Sequence, residues 1–342
     1  MANPSYLVDG LVLPSEAASA AQIQDLQRDL RALGYFPGPV TGVFGGMTQR
    51  AVKGLQHDLI NNTGASSQGD GNAPVAVKDY NNGSVTVESG IVDQGLAACI
   101  AAILNDANFP KLPSSADPAT DNQNALAAAQ AAAAGQVPVP FLLQIFQQES
   151  DQRHYQVPSG ANIDSFVTIG LDHNNNADGA AITSRGYGIG QTTLFHHPPT
   201  SDEVAGVITD PANNAAATIK EFRAKFDNYV NGPTDRADDR IAEAGTGPLR
   251  LCKYQPTDPL YMTDCVNCCK AAGTFDIVAG TTPFYTGAEA TYATTQYHKG
   301  SYTNVPVRAN IPCDWPYAIR RYNGSGVNSY DYQAEVLLAI VQ

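Results

Sequence analysis

Wherever apolar residues recur regularly in this chain, the repeat is helical, and that restricts the fold before composition is considered. Ile23, Leu26, Leu30 and Leu33 fall three and four residues apart, as do Ala51, Val52, Leu55 and Leu59, and again Leu142, Ile145 and Phe146. A period of 3.6 residues gathers each set on one side of a helix. The first helix should begin at Ala20 and stop at Gly34, and Thr48 should cap the second. Further helices are expected over Gly95 to Asn105, alanine-rich Asn122 to Gly135, Val139 to Ser150, Ile208 to Val230 and Gln333 to Val341. One stretch reads as extended: VAVKDYNNGSVTV, with Asn81-Asn82-Gly83 between valines, predicts a hairpin inserted near residues 71–88. The fold class is mainly α with minor β.

The stripe on Val139 to Ser150 continues into a carboxylate. Glu149 lies four residues after Ile145 and seven after Leu142, so a helix places it on the face that buries Leu142 and Ile145. Burial disfavours the charged form and raises a carboxyl pKa, keeping the proton that a general acid must donate. An arginine partner or escape to solvent at the helix end would give the same pattern without chemistry.

Charge and cysteine content narrow the setting. With 20 Lys and Arg against 33 Asp and Glu, the net charge is −13, and no basic cluster is present, so nucleic acid is not an expected partner. No apolar run of about 18 residues exists to span a bilayer. The start, MANPSYLVDGLVLP, lacks a basic n-region and is broken by Asp9 and Gly10, so it does not read as a secretory signal. Of six cysteines, Cys252, Cys265, Cys268, Cys269 and Cys313 fall late, which suits disulfides and an oxidising compartment. Cys265-x-x-Cys268 with Cys252 upstream also has zinc-like spacing, although no second pair completes a tetrahedral set. Cys99 reads as a small core residue. Asp172, Asn174, Asn176 and Asp178 alternate as in a calcium loop, but the twelfth position is Thr183 and not a glutamate, which favours a solvated turn. No metal or cofactor is expected.

The run from Leu26 to Gln56, with Leu33-Gly34-Tyr35, Gly42-x-Phe44-Gly45, Thr48 and Ala51-Val52 in register, resembles the small helical peptidoglycan-binding domain found beside many cell-wall hydrolases. Thr41 departs from it, since that family usually has aspartate there. The resemblance implies a wall-binding module over residues 1–110, in which Tyr35, Phe44 and Thr48 carry the module's pattern, with the helix near residues 95–105 as its displaced third helix. PKLPSSADPATD, Pro110 to Asp121, has the Pro/Ser/Asp content of a linker, which places the linker at 111–121 and leaves 122–342 as a second domain.

Three pieces of that second domain resemble the catalytic domain of soluble lytic transglycosylases and goose-type lysozymes: Glu149-Ser150 at a helix end, Gly186-Tyr187-Gly188-Ile189-Gly190-Gln191, and Tyr322-Asn323-Gly324 with Tyr330 downstream. The glycine-rich piece is not a phosphate loop, since it lacks the Gly-Lys-Ser/Thr ending. The resemblance implies a lysozyme-like α domain with disulfide-bearing insertions that cleaves the β-1,4 bond between N-acetylmuramic acid and N-acetylglucosamine. Glu149 would act as acid and then base, the muramic 6-hydroxyl closing a 1,6-anhydro ring, so one carboxylate suffices where ordinary glycosidases use two. Gln191 and Tyr322 would place the sugar and stabilise charge, Tyr187, Gly188, Ile189 and Tyr330 would line the cleft, and Ser150 and Asn323 would support the glutamate. A hydrolytic muramidase would add a second carboxylate, with Asp172, Asp178 and Glu203 available. A wall-binding protein with an inactive domain is the reading from another class. The expected partner is the peptidoglycan glycan strand, met by a monomer acting in the periplasm or at the cell wall.

Overall fold

The computed structural model describes residues 3–64, 74–173, 179–227, 258, 260, 289–292, 302–306, 314–324 and 328–341. The late cysteines and most of the calcium-like loop lie outside these residues. The chain forms two compact units. One comprises Met1–Ala125 and Arg153–Ala215, the other Leu126–Gln152 and Ala216–Gln342.

The first unit opens with α1 (Ala20–Ala32), started by a capping box in which Ser19 accepts from the Gln22 backbone while the Gln22 side chain accepts from the Ser19 N–H. Gly34, at φ 80°, ends it. α2 (Gly46–Asn61) follows a glycine-rich loop. Thr48 does not cap it: Gly45 holds that position, and Thr48 is buried in the first turn. The loop is held instead by Gln27, a residue that periodicity alone marks as ordinary surface. Its Oε1 accepts from the N–H groups of Thr41 and Gly42, both at 2.9 Å. Its Nε2 donates to the Val43 carbonyl and to Thr48 Oγ1. Thr41, the departure from the family pattern, is thereby accommodated through its backbone.

The expected hairpin near residues 71–88 is absent. In its place Val77–Tyr80 forms a 3-10 turn, and the chain reverses through Asn82 and Gly83, both at positive φ. The turn forms at Asn82-Gly83 without flanking strands. The Asn81 side chain bonds to both polar groups of the Val85 backbone and to the Leu59 carbonyl, so the turn closes on a side chain and is anchored to α2 without a strand ladder. α3 (Gln94–Asn105) then closes the core, with Asp93 as its cap. Cys99 on it is a buried free thiol.

Residues 111–121 do not run as a free linker. Leu112 N–H bonds to the Ala32 carbonyl, Ser115 N–H to that of Ser165, and α4 (Pro118–Ala133) has begun by residue 118. Residues 153–173 and 179–183 supply part of the first unit's core. β1 (Ile169–Asp172), β2 (Ser184–Tyr187) and β3 (Thr192–Leu194) make a small antiparallel sheet, Gly170 opposite Gly186 and Tyr187 opposite Thr192. Two buried ion pairs join this stretch to the helices before it: Arg31 with Asp164, and Arg185 with Asp58. At Gly54 a Cβ would stand 3.0 Å from the tip of the Ile182 side chain, so the glycine eases the close approach of that side chain to α2.

The second unit is built on α5 (Val139–Ser150), whose Phe141, Leu142, Ile145 and Phe146 are buried as the stripe predicts. α6 (Pro211–Phe226) follows a π-turn at Val204–Ile208, which shortens the helix expected from Ile208. A two-stranded ribbon, β4 (Glu289–Tyr292) with β5 (Tyr302–Pro306), precedes α7 (Asp314–Asn323) and α8 (Asn328–Val341). α5, α7 and α8 pack on one another. Trp315 on α7 is fully buried, stacked on Phe226 at 4.0 Å between centroids. The architecture is mainly α with minor β.

Candidate active site and wall-binding module

α5 stops immediately after its glutamate. Asp151 and Gln152 take left-handed conformations at φ 56° and 57°, unusual for residues with side chains, and their N–H groups return to the carbonyls of Gln147 and Phe146. Consecutive backbone strain beside a titratable group is a common mark of functional sites. Pro140 in the first helical turn and Pro138 before it set where the helix begins, so the position of Glu149 is fixed from both ends.

Glu149 is part-buried, and Tyr332 Oη on α8 donates to its Oε1 at 2.8 Å. Burial raises the Glu149 pKa. The Tyr332 hydrogen bond opposes the rise, and the Glu221 carboxylate on α6 adds to it. Tyr322, near the end of α7, is bonded to Thr218 and lies in the field of Glu149 and Glu221, and burial holds its phenol well above the ordinary value. Its ring meets Phe222 edge-on at 6.3 Å. The second unit thus brings together Glu149, Tyr322 and Tyr332. Ser150 turns its hydroxyl back to the Phe146 carbonyl at 3.1 Å, and Asn323 is exposed. Tyr330 lies on α8.

Tyr332 is the residue that sequence reasoning missed. With the closing helix begun at Gln333, it fell outside; begun at Asn328, the same helix carries buried Ser329, Gln333 and Val336 at helical spacing, with Tyr332 beside them.

The glycine-rich piece is in the first unit, and its side chains point largely inward. Tyr187 is buried against Leu112, Tyr155, Val167, Ile169 and Ile208, with its hydroxyl unpaired among the described residues and its pKa pushed up to about 12 by burial. Ile189 is also buried. Gly188 sits at φ 73° with no room for a Cβ, which would stand 2.5 Å from the His154 ring. That ring is wholly buried. Its Nδ1 accepts from Ile189 N–H and its Nε2 donates to the Ile208 carbonyl, and burial lowers its pKa to about 4, so it is neutral. Asn214 completes the turn through Gly190 N–H and the Tyr187 carbonyl. Gln191, at φ 50°, folds its amide over Gly170 and Gly186 and donates to the Gly188 carbonyl at 2.7 Å. His154 and Asn214 organise this turn, and no local sequence signal marks them.

Of the other available carboxylates, Glu203 is bound to His196 at 2.8 Å and to Thr200 N–H, and Asp172 ends β1. Asp178 lies outside the described residues. Among the described residues no group of His, Cys, Asp and Glu could hold a metal ion, and no helix is long and apolar enough to cross a membrane.

The N-terminal helices form a compact module in which Tyr35 is buried and donates to Asp58 at 2.7 Å, Phe44 packs on the core, and Thr48 serves Gln27. These residues build the module from inside. A cavity of about 480 Å³ opens at its glycine-rich loop, between Phe36, Pro39, Val43 and the first turn of α2. Residues 19–59 match the family described as "Putative peptidoglycan binding domain". The chain carries a peptidoglycan-binding domain. No curated protein and no solved structure matches it. The domain accounts for α1, the loop and most of α2, and points to association with the cell wall and to peptidoglycan as a partner.

Proposed function

We propose that this protein cleaves the glycan strands of peptidoglycan as a lytic transglycosylase, with Glu149 as its acid and base. The observation that carries the reading is a half-buried carboxyl group at the end of α5, held by a neutral phenol and raised in pKa, in a chain that also carries a wall-binding domain. A raised pKa keeps the proton available for the departing glycosidic oxygen, and the resulting carboxylate then accepts the proton of the muramic 6-hydroxyl as it attacks the anomeric carbon. Tyr332 holds the carboxyl in place through both steps. Tyr322, whose phenol stays protonated, is the candidate for steadying charge on the sugar. The wall-binding domain raises the concentration of the lytic unit at its polymeric substrate. The site of action is the periplasm or the cell wall.

The protonated form of Glu149 is the active one, and its folded pKa is raised. Activity is therefore full at lower pH and falls as pH rises through that value. Glu149→Gln should abolish lysis of purified sacculi, a loss of roughly 10²–10⁴-fold, while wall binding persists. The thermal midpoint of this variant should match or exceed that of wild type at neutral pH, because an amide tolerates the site better than an ionised acid. Undiminished lysis by the variant would defeat the assignment.

Hydrolysis is the second reading, favoured by one observation: Glu221 is a second carboxylate acting on Glu149 within the same unit, although it is engaged with Lys225 at 3.4 Å. The products decide between the two. Anhydromuropeptides mark the transglycosylase and reducing ends the hydrolase.

A further inference from the structure

Beside the wall-binding helices lies a cavity that the matched region builds only in part. It measures about 270 Å³ and is walled by Tyr35, Arg50 and Ala51 on one side and by Leu171, His173 and Ile182 on the other. The second set comes from β1 and the segment before β2, well outside residues 19–59. Gly54 eases this approach, since a Cβ there would stand 3.0 Å from the tip of the Ile182 side chain.

Its chemistry is uneven. Tyr35, Ala51 and Ile182 are buried and Leu171 is part-buried, so most of the wall is apolar. Arg50 is exposed, and among the described residues it forms no ion pair. His173 Nδ1 is engaged with the Ala181 carbonyl at 2.9 Å, which directs its remaining ring nitrogen elsewhere. A guanidinium beside an apolar wall, in a chain of net charge −13, selects a ligand with a small aliphatic body and a carboxylate end. The volume lies just below the roughly 300–1,000 Å³ of ordinary ligand pockets, enough for an end group and too little for a glycan strand. Arg50 also borders the 480 Å³ cavity at the glycine-rich loop, so a polymer lying there could extend an end into the smaller space.

We propose that this cavity binds the free carboxylate end of a peptidoglycan stem peptide, with its terminal methyl groups against Ala51, Leu171 and Ile182 and its carboxylate on Arg50. The inference rests on the chain's wall-binding role. The test measures binding of the full-length protein to a synthetic stem pentapeptide ending in D-alanyl-D-alanine, as the free acid and as the C-terminal amide, with pull-down on purified sacculi in parallel. The free acid should bind at least about tenfold more tightly than the amide, the amount one charge-assisted hydrogen bond supplies. Arg50→Gln should lower free-acid binding by the same factor and leave amide binding unchanged, and Arg50→Lys should recover part of the loss. Because Arg50 is exposed, neither change should disturb folding. Equal binding of the acid by wild type and Arg50→Gln, or no peptide binding by a wild type that still sediments with sacculi, overturns the site and leaves wall binding intact. A wild type that binds neither overturns the wall-binding role itself.

Discussion

Buried charge is held differently at the ion pairs of the first unit and at Glu149 in the second. In the first, Arg31 meets Asp164 and the Phe36 carbonyl, and Arg185 meets Asp58 and the Gly34 carbonyl, all of these side chains almost wholly withdrawn from water. In the second, Glu149 is held by Tyr332, and among the described residues no lysine or arginine pairs with it. Removing a carboxylate that faces a buried guanidinium strands the partner. A carboxyl group facing a phenol leaves no buried cation behind, and burial favours its protonated form. The first arrangement is structural, the second suits chemistry, and the contrast can be broken in measurable ways.

The largest effect on stability should come from the paired side. Asp164→Ala leaves the Arg31 guanidinium buried without its partner and should cost about 3–5 kcal/mol. Chemical denaturation of the variant checks this, and a loss under about 1 kcal/mol would show that Arg31 finds water. Next comes His154, whose folded pKa of about 4 lies below the unfolded value of roughly 6.5. The unfolded chain gains that proton first, so stability present at neutral pH is lost as pH falls from 6.5 through 4, by up to about 3 kcal/mol. An NMR titration that finds the ring protonating near its ordinary value would remove the effect.

Tyr332→Phe tests the other side. It should lower activity roughly tenfold, as loss of one hydrogen bond does. It should also move the alkaline fall of the activity profile upward, because the bond that holds the Glu149 pKa down is gone. An unshifted profile would reduce Tyr332 to a packing residue. Asp29 carries the same phenol contact into the first unit, where burial raises the pKa to about 6 despite a 2.6 Å bond from Tyr6. Its raised value makes the wild type lose up to about 3 kcal/mol of stability as pH rises from roughly 4 through 6, and Asp29→Asn should flatten that slope in a pH series of thermal midpoints.

Much of this was legible in the residues. Periodicity located α1, α2, α3 and α5, because each buries one stripe and local spacing records which side that is. It also placed Glu149 on a partly buried face. That residues 74–88 form no hairpin was not legible, because Asn81 spends its amide on α2 and Val85, and a local pattern cannot show a distant acceptor. The linker at 111–121 failed for a related reason: its composition suits a free tether, but its backbone groups find Ala32 and Ser165.

Sequence alone determined the helices, the wall-binding pattern and a carboxylate where a carboxylate is costly. All of these are written within a few turns of chain. Tertiary structure alone decided that residues 153–215 complete the first unit, that Gln27 holds a loop 14 residues away, and that Tyr332 meets Glu149 across 183 positions. A helix repeats every few residues and so announces itself locally. A hydrogen bond between distant side chains leaves no such trace until folding has brought its ends together.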